Sequence, residues 1–231
     1  MRHRACRAKR ALRLVLAVTA MASPSPVRHW ILARLLGHRI ARTARVGFSL
    51  VDVDRLVLGP GATIGSLNVV RGLRVARLDP EARIGTMNWI SASPRVSGLF
   101  PHAPGRRPAL WLREGSAITR RHLLDVSDQI VLDPFCILAG SGSEILTHAI
   151  DLDAGEQRTA RVRIGARSFV GTRAILLAGA RVPDRCVVAA GAVVTGPLAA
   201  SLTLYGGVPA RPLGPLRADA GFFTRRDAHV R

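Results

Sequence analysis

Lysine is all but missing from this chain. Of its 34 basic residues Lys9 alone is a lysine, and the rest are arginines. Aromatic residues are scarce too, at 4% of 231, although 48% of the sequence is hydrophobic. A core so poor in rings has to be narrow and filled by Val, Ile, Leu and Ala. Acidic residues are absent from the first 45 positions, which hold eleven Arg and Lys. The net charge is +19. A nucleic-acid surface would interleave stacking aromatics with its cations or carry a known binding motif, and neither is found, so nucleic acid is not an expected partner. The three cysteines are an odd number, and nothing points to an oxidising compartment. Cys136 and Cys186 stand where neighbouring repeat units have Ala or Ser, which reads as small buried side chains rather than redox or metal groups.

The N-terminus carries two apolar stretches in a basic frame. "ALRLVLAVTAMA" (11–22) contains Arg13 and is too short to span a bilayer. With the upstream arginines and Ala20-Met21-Ala22 it imitates a secretory signal. Against cleavage, Ser23-Pro24-Ser25-Pro26 leads into a second basic amphipathic stretch, "VRHWILARLLGHRI". Residues 1–45 are therefore expected to form two helices, one capping the open end of the domain that follows. Peripheral contact of this arm with an anionic cytoplasmic membrane face is the further expectation.

The rest of the chain runs on a rhythm of six. Ile164, Val170, Leu176, Val182, Val188 and Val194 are aliphatic, and small residues recur four places later as Ser168, Ala174, Ala180, Cys186 and Ala192. A period of six is neither the 3.6 of a helix nor the 2.0 of a strand. It fits a triangular solenoid with one hexapeptide per face, aliphatic inward and small residue at the corner. Less perfect units start at Leu58, Leu78, Leu112 and Leu132. The first two are 20 residues apart, as are the last two, so each such coil holds about two residues beyond eighteen. The expected domains are the basic arm (1–45), an all-β solenoid (46–204) with excursions at 93–110 and 147–163, and a C-terminal tail (205–231). Excursions of this size inside a compact repeat are usually functional or disordered.

"IGARSFVGTRAILLAGARVPDRCVVAAGAVVTGPL", followed by "LYGGVPARPLG", resembles the hexapeptide-repeat acyltransferases, a left-handed parallel β-helix family that includes galactoside, maltose and serine O-acetyltransferases. The resemblance covers most of 46–213 as a repeat pattern and is most specific over 145–213. "LTHAID" and "LYGGVPARP" bring it nearest to members acting in surface polysaccharide synthesis. It implies a cytoplasmic homotrimer with acetyl-CoA in the groove between subunits, a sugar or polysaccharide hydroxyl as acceptor, and no metal. It also implies that His148, at the root of the second excursion, is the general base, since neutral imidazole is available near pH 7. Asp151 and Asp125 are the candidates to orient it. His122 is a candidate for touching the acceptor, or a polar corner residue, and Asp133 reads as structural. By the same resemblance Thr172, Ala190, Thr195 and Arg211 follow the CoA groove. Two departures bear on that groove. Gly196 stands where members often have Lys, and Phe169 where many have Trp.

Three other readings fit the sequence less well. A γ-class carbonic anhydrase would need three zinc-binding histidines, and the seven here lack its close HxxxxH pair. A nucleotidyltransferase would need a separate nucleotide-binding domain before the repeats. A non-catalytic trimeric scaffold at the membrane surface would have no reason to keep His148, the loop and "GVPAR" together. No Ser or Cys constellation suggests a covalent acyl-enzyme.

Overall fold

The computed structural model describes residues 2–93, 99–100 and 103–228, with residues 2–7 as backbone only. Each turn of the chain lays one short strand on each of three faces. Face A stacks Arg39–Ile40, Arg55–Leu58, Val75–Leu78, Ala109–Leu112, Ile130–Leu132, Val162–Ile164 and Arg181–Val182 in parallel. Faces B and C follow about six residues later at each step, with Val46 to Val51 one short and Leu138 to Ile145 one over. Face B begins with Arg45–Val46 and face C with Leu50–Asp52. The first turn thus opens at Arg39 rather than at 46, because Arg39–Ile40 pairs with Val57–Leu58. A two-residue strand carries no periodicity of its own.

Parallel pairing in strict register makes every inward residue stack on its counterpart one turn away. Leu58, Leu78, Leu112, Leu132 and Ile164 form such a column on face A. Ile84, Ile118, Leu138 and Val170 do so on face B, and Ile90, Leu124, Ile145 and Leu176 on face C. All of these are buried, and so are the small residues Ser168, Ala174, Ala180, Cys186 and Ala192. Burial pushes the Cys136 and Cys186 thiols above their ordinary range, in keeping with inert core residues.

Apart from a single one between Leu138 and Ile145, which leaves at the edge from B to C, the extra residues of the earlier turns leave at one edge, where face C passes to face A. The steps from Val70 to Leu78 and from Leu124 to Leu132 are eight instead of six. Both long excursions leave there too, after Trp89–Ser91 and after Glu144–Leu146. The second is not an irregular loop. His148–Asp151 pairs antiparallel with Glu156–Thr159 as a ribbon.

At the opposite end of face C, the edge from B to C holds a buried polar ladder. Asn68 receives an N–H bond to its Oδ1 from Asn88, whose own Oδ1 accepts from the His122 amide, and Ser143 N–H donates to His122 Nδ1. Because Nδ1 accepts, Nε2 carries the hydrogen and donates to Thr119 Oγ1, 2.9 Å away. His122 is therefore a rung of the core, not a surface residue that meets an acceptor.

Helix α1 (Arg2–Ala22) lies on the first strand of face C and buries Ala17 and Ala20. Helix α2 (Ser25–Trp30) runs into a π-helical turn, Ile31–Leu35, that buries Ile31 and Leu32. Arg28 is buried between them and the first turn. Its guanidinium donates to the carbonyls of Ala20, Met21, Ser23 and Val46, so each of its three nitrogens is hydrogen-bonded. The C-terminal segment is not a free tail either. Thr203–Gly206 and Arg211–Pro215 extend face B as a hairpin. The chain then folds back so that Phe222 meets Phe169 edge to face and Arg167 donates to the carbonyls of Phe223 and Arg225.

Burial lowers the His122 and His38 pKa values to about 4, with Arg13 adding to the effect at His38. Unfolded imidazole takes its proton near pH 6.5. Between these limits the unfolded state binds more protons, so stability falls as pH drops through that window. His122→Asn, which repeats the residue of the two rungs below, removes one of the two titrations. Its urea midpoint is expected to fall less between about pH 7 and pH 4.5 than that of the native chain; an equal fall would contradict this account of the ladder.

Candidate active site

Asp125 ends a face C strand, with Ser91 one turn below it and Leu146 one turn above. Two residues past Leu146, His148 opens the ribbon, so its ring comes down beside Asp125. His148 Nδ1 lies 2.5 Å from Asp125 Oδ2, and the two side chains are 35% and 13% exposed. The carboxylate is fixed from several sides. Its Oδ1 accepts from the Ser127 amide (3.2 Å) and from Ser127 Oγ (2.6 Å), and Oδ2 accepts from the Thr147 amide (3.3 Å). The Thr147 hydroxyl donates to the Asp125 backbone carbonyl at 2.8 Å and accepts from the Asp128 amide. A carboxylate only accepts, so Nδ1 is the protonated nitrogen and the Nε2 lone pair remains available.

Of the two carboxylates expected to orient His148, Asp125 is the one that meets it. Asp151 is engaged elsewhere. Its Oδ2 lies 2.5 Å from Arg158 Nε, and its Oδ1 accepts from the Asp153 and Ala154 amides, closing the tip of the ribbon. The Ala154 amide and then Arg158 hold its carboxyl below the usual range. A residue three positions along a strand points to the other side of it, which is why chain proximity misled.

The first excursion reaches the same place. Phe100 is buried and meets the His148 ring edge to face, with centroids 6.3 Å apart. The Arg106 guanidinium sits 4.4 Å from the centre of the Phe100 ring, and its Nη1 donates to the Ser127 carbonyl. Ser93 Oγ is 2.7 Å from Ser127 Oγ. None of these four residues was singled out from sequence. The available signal was that both excursions interrupt the repeat after the same hexapeptide phase. Residues 94–98 and 101–102 of the 93–110 excursion, His102 included, lie outside the described residues.

The residues expected along a CoA groove fall in two places. Thr172 and Ala190 are exposed on successive turns of the B-to-C edge, where the Gly191 amide donates to the Thr172 carbonyl and Thr172 Oγ1 donates to the Ser141 carbonyl. A side chain on Gly171 would sit 2.7 Å from the Ala190 amide, so the turns approach closely there. Thr195 follows the last strand of face C, and Arg211 stands exposed in the C-terminal hairpin opposite Gly206. One copy does not bring Thr172 and Ala190 to His148, because the whole width of face C lies between the two edges. The outward column of that face toward the B edge is mostly apolar, running Leu50, Val69, Trp89, Leu123, Glu144 and Ile175, whereas the column toward face A holds Asp52, Arg71, Ser91 and Asp125. Trp89 and Leu123 are register partners and exposed, and Leu67 and Met87 stand exposed along its B edge.

A family model described as the hexapeptide repeat of succinyl-transferase matches residues 161–196. The chain is a hexapeptide-repeat β-helix. Among solved structures it is similar to an N-acyltransferase from Bacillus cereus determined with dTDP and coenzyme A, at 10% identity and TM-score 0.49, covering 78% of this chain and 84% of that one. A hexapeptide-repeat-containing acetyltransferase from Vibrio cholerae is similar at 18% identity and TM-score 0.47, with 91% and 92% covered. A maltose O-acetyltransferase from Clostridium difficile is similar at 15% identity and TM-score 0.37, with 90% and 86% covered. None of the curated proteins matches the chain. Among the described residues of this β-helix no cluster of three or more His, Cys, Asp or Glu is arranged to hold a metal ion.

The geometry predicts a single tautomer for neutral His148. Nitrogen-15 correlation spectra of the native chain should show Nδ1 protonated and Nε2 bare, and Asp125→Leu should shift the ring toward the Nε2-protonated form that predominates in free imidazole side chains. The same tautomer in both proteins would break the link between Asp125 and His148.

Proposed function

We propose that the β-helix is an acyltransferase that moves the acetyl group of acetyl-CoA to a hydroxyl of a sugar or of a surface-polysaccharide precursor. The observation that carries this reading is the His148–Asp125 pair, which leaves Nε2 as an available base at the root of an excursion. The acceptor hydroxyl gives its proton to His148 Nε2 while its oxygen attacks the thioester carbonyl. Asp125 holds the ring and stabilises the imidazolium that forms. When the tetrahedral intermediate collapses, the C–S bond breaks, and Nε2 returns the proton to the departing CoA thiolate. The products are an ester and free CoA, with no covalent enzyme intermediate.

The same reading calls for a homotrimer. His148 and Asp125 stand at one edge of face C and Thr172 and Ala190 at the other, so a groove lined by both sets needs a second copy. The exposed apolar group Leu67, Met87, Trp89 and Leu123 on the B side of face C suits burial between copies, since exposed patches of this kind mark association surfaces. In that groove Thr172 and Ala190 flank the pantetheine, Thr195 and Arg211 lie toward the phosphates, and Arg173, exposed beside Thr172, is a further cation for them. It offers a substitute for the Lys that Gly196 replaces.

Release of free CoA thiol in the presence of acetyl-CoA and a panel of glycosides tests the chemistry. His148→Ala is expected to lower kcat by roughly 10²- to 10⁴-fold with the Kd for acetyl-CoA unchanged. Asp125→Asn should cost at least about tenfold, because an amide permits the wrong tautomer, whereas Asp151→Ala should stay within about twofold. Full turnover by His148→Ala, or no acetyl-CoA binding by the folded native chain, would sink the proposal.

A further inference from the structure

Helix α1 is apolar on two sides. One side faces the solenoid, where Leu16, Ala17 and Ala20 pack and Arg13 donates to the carbonyls of Val53 and Asp54. The other faces outward. Ala11, Leu12, Val15, Val18, Thr19 and Ala22 are all exposed, and their spacing of one, three, three, one and three places them on one arc of about a third of the helix circumference. Leu12, Val15 and Val18 are 59%, 60% and 50% exposed. A helix lying on a soluble core ordinarily turns charge toward water on that side. Over residues 8–22 the arc holds none, Lys9 and Arg10 are exposed on either side of it, and residues 1–45 contain no acid. The neighbouring α2 adds exposed Val27 and Trp30.

We infer that the outward face of α1 lies in the interfacial plane of an anionic lipid bilayer. The apolar arc enters the boundary between headgroups and acyl chains, and the flanking cations meet the lipid phosphates. The helix rests on the surface, since among the described residues no helix is long and apolar enough to cross a membrane. Nucleic acid fits residues 8–22 of this face poorly, because phosphate contacts need cations on the contacting arc itself and the described arc carries none. A second copy of the chain fits poorly too, because two such strongly basic arms would repel each other. The inference does not depend on the acyltransferase reading.

Sedimentation of the full chain with phosphatidylcholine vesicles containing about one-third phosphatidylglycerol, compared with pure phosphatidylcholine, tests it. The native chain is expected to sediment with the anionic vesicles only, and less so as salt is raised. The triple variant Leu12→Ser, Val15→Ser, Val18→Ser keeps the charge and should bind at least about tenfold more weakly with its circular dichroism unchanged. Should the triple variant unfold, Val15→Ser alone at the centre of the arc is expected to weaken binding by about threefold or more. The inference is overturned by absence of sedimentation with anionic vesicles, or by undiminished binding of the folded variants, which would leave the cations acting alone. Self-association of the native chain that the variants abolish, without lipid binding, would overturn it in favour of a second copy.

Discussion

Register is the constraint on which this molecule depends. Each inward aliphatic is held against its counterpart one turn away by parallel backbone pairing, so a slip of one residue would turn a whole strand inside out. Extra residues are therefore excluded from the faces and can leave only at corners. In this chain they leave at one corner, from face C to face A, in nearly every turn that has them. The two long excursions emerge from that edge two turns apart, and the turn between them supplies Asp125. The His148–Asp125 pair is thus assembled from pieces 23 residues apart in sequence by a scaffold that only counts to six.

The same constraint sets the electrostatics of the two histidines that matter. His122 and His148 lie at opposite edges of face C. The first replaces a small corner residue, is sealed in the ladder with Nδ1 accepting, and is driven to about pKa 4 by burial. The second leaves the coil, has Nδ1 donating to a carboxylate, and keeps Nε2 open. Which nitrogen carries the hydrogen is decided in each case by the partner on the other. One ring serves packing and the other is fit for proton transfer, although in sequence both are a histidine after a Thr- or Arg-rich corner.

Much of this was legible beforehand. The hexapeptide rhythm from Ile164 to Val194 maps residue for residue onto the inward columns, because those turns have no insertions. The earlier turns were legible in outline, and their surplus of two is now placed at a single corner. The arm read as two helices on the first turn, but the solenoid starts earlier because a pair such as Arg39–Ile40 is defined only by its partner. His148 was singled out, and Asp125 with it, but sequence distance could not separate Asp125 from Asp151. Their roles diverge because one lies beneath the histidine in the next turn and the other faces across a ribbon to Arg158. Asn68 and Asn88 share a repeat position with His122, a pattern that marks a core ladder. Phe100 and Arg106 were beyond reach, since no periodicity governs an excursion.

The central claim is that the reacting pair and the CoA-lining edge of one active site belong to different copies of the chain. Mixing tests it most directly. His148→Ala and Thr172→Trp, each expected to be inactive alone, would be co-expressed and the mixed oligomers assayed for acetyl transfer. A site shared between copies predicts recovery of about one quarter of native activity, from the interfaces that pair an intact histidine with an intact groove. No recovery from mixed oligomers shown to contain both variants would contradict the claim and place the whole site within one chain.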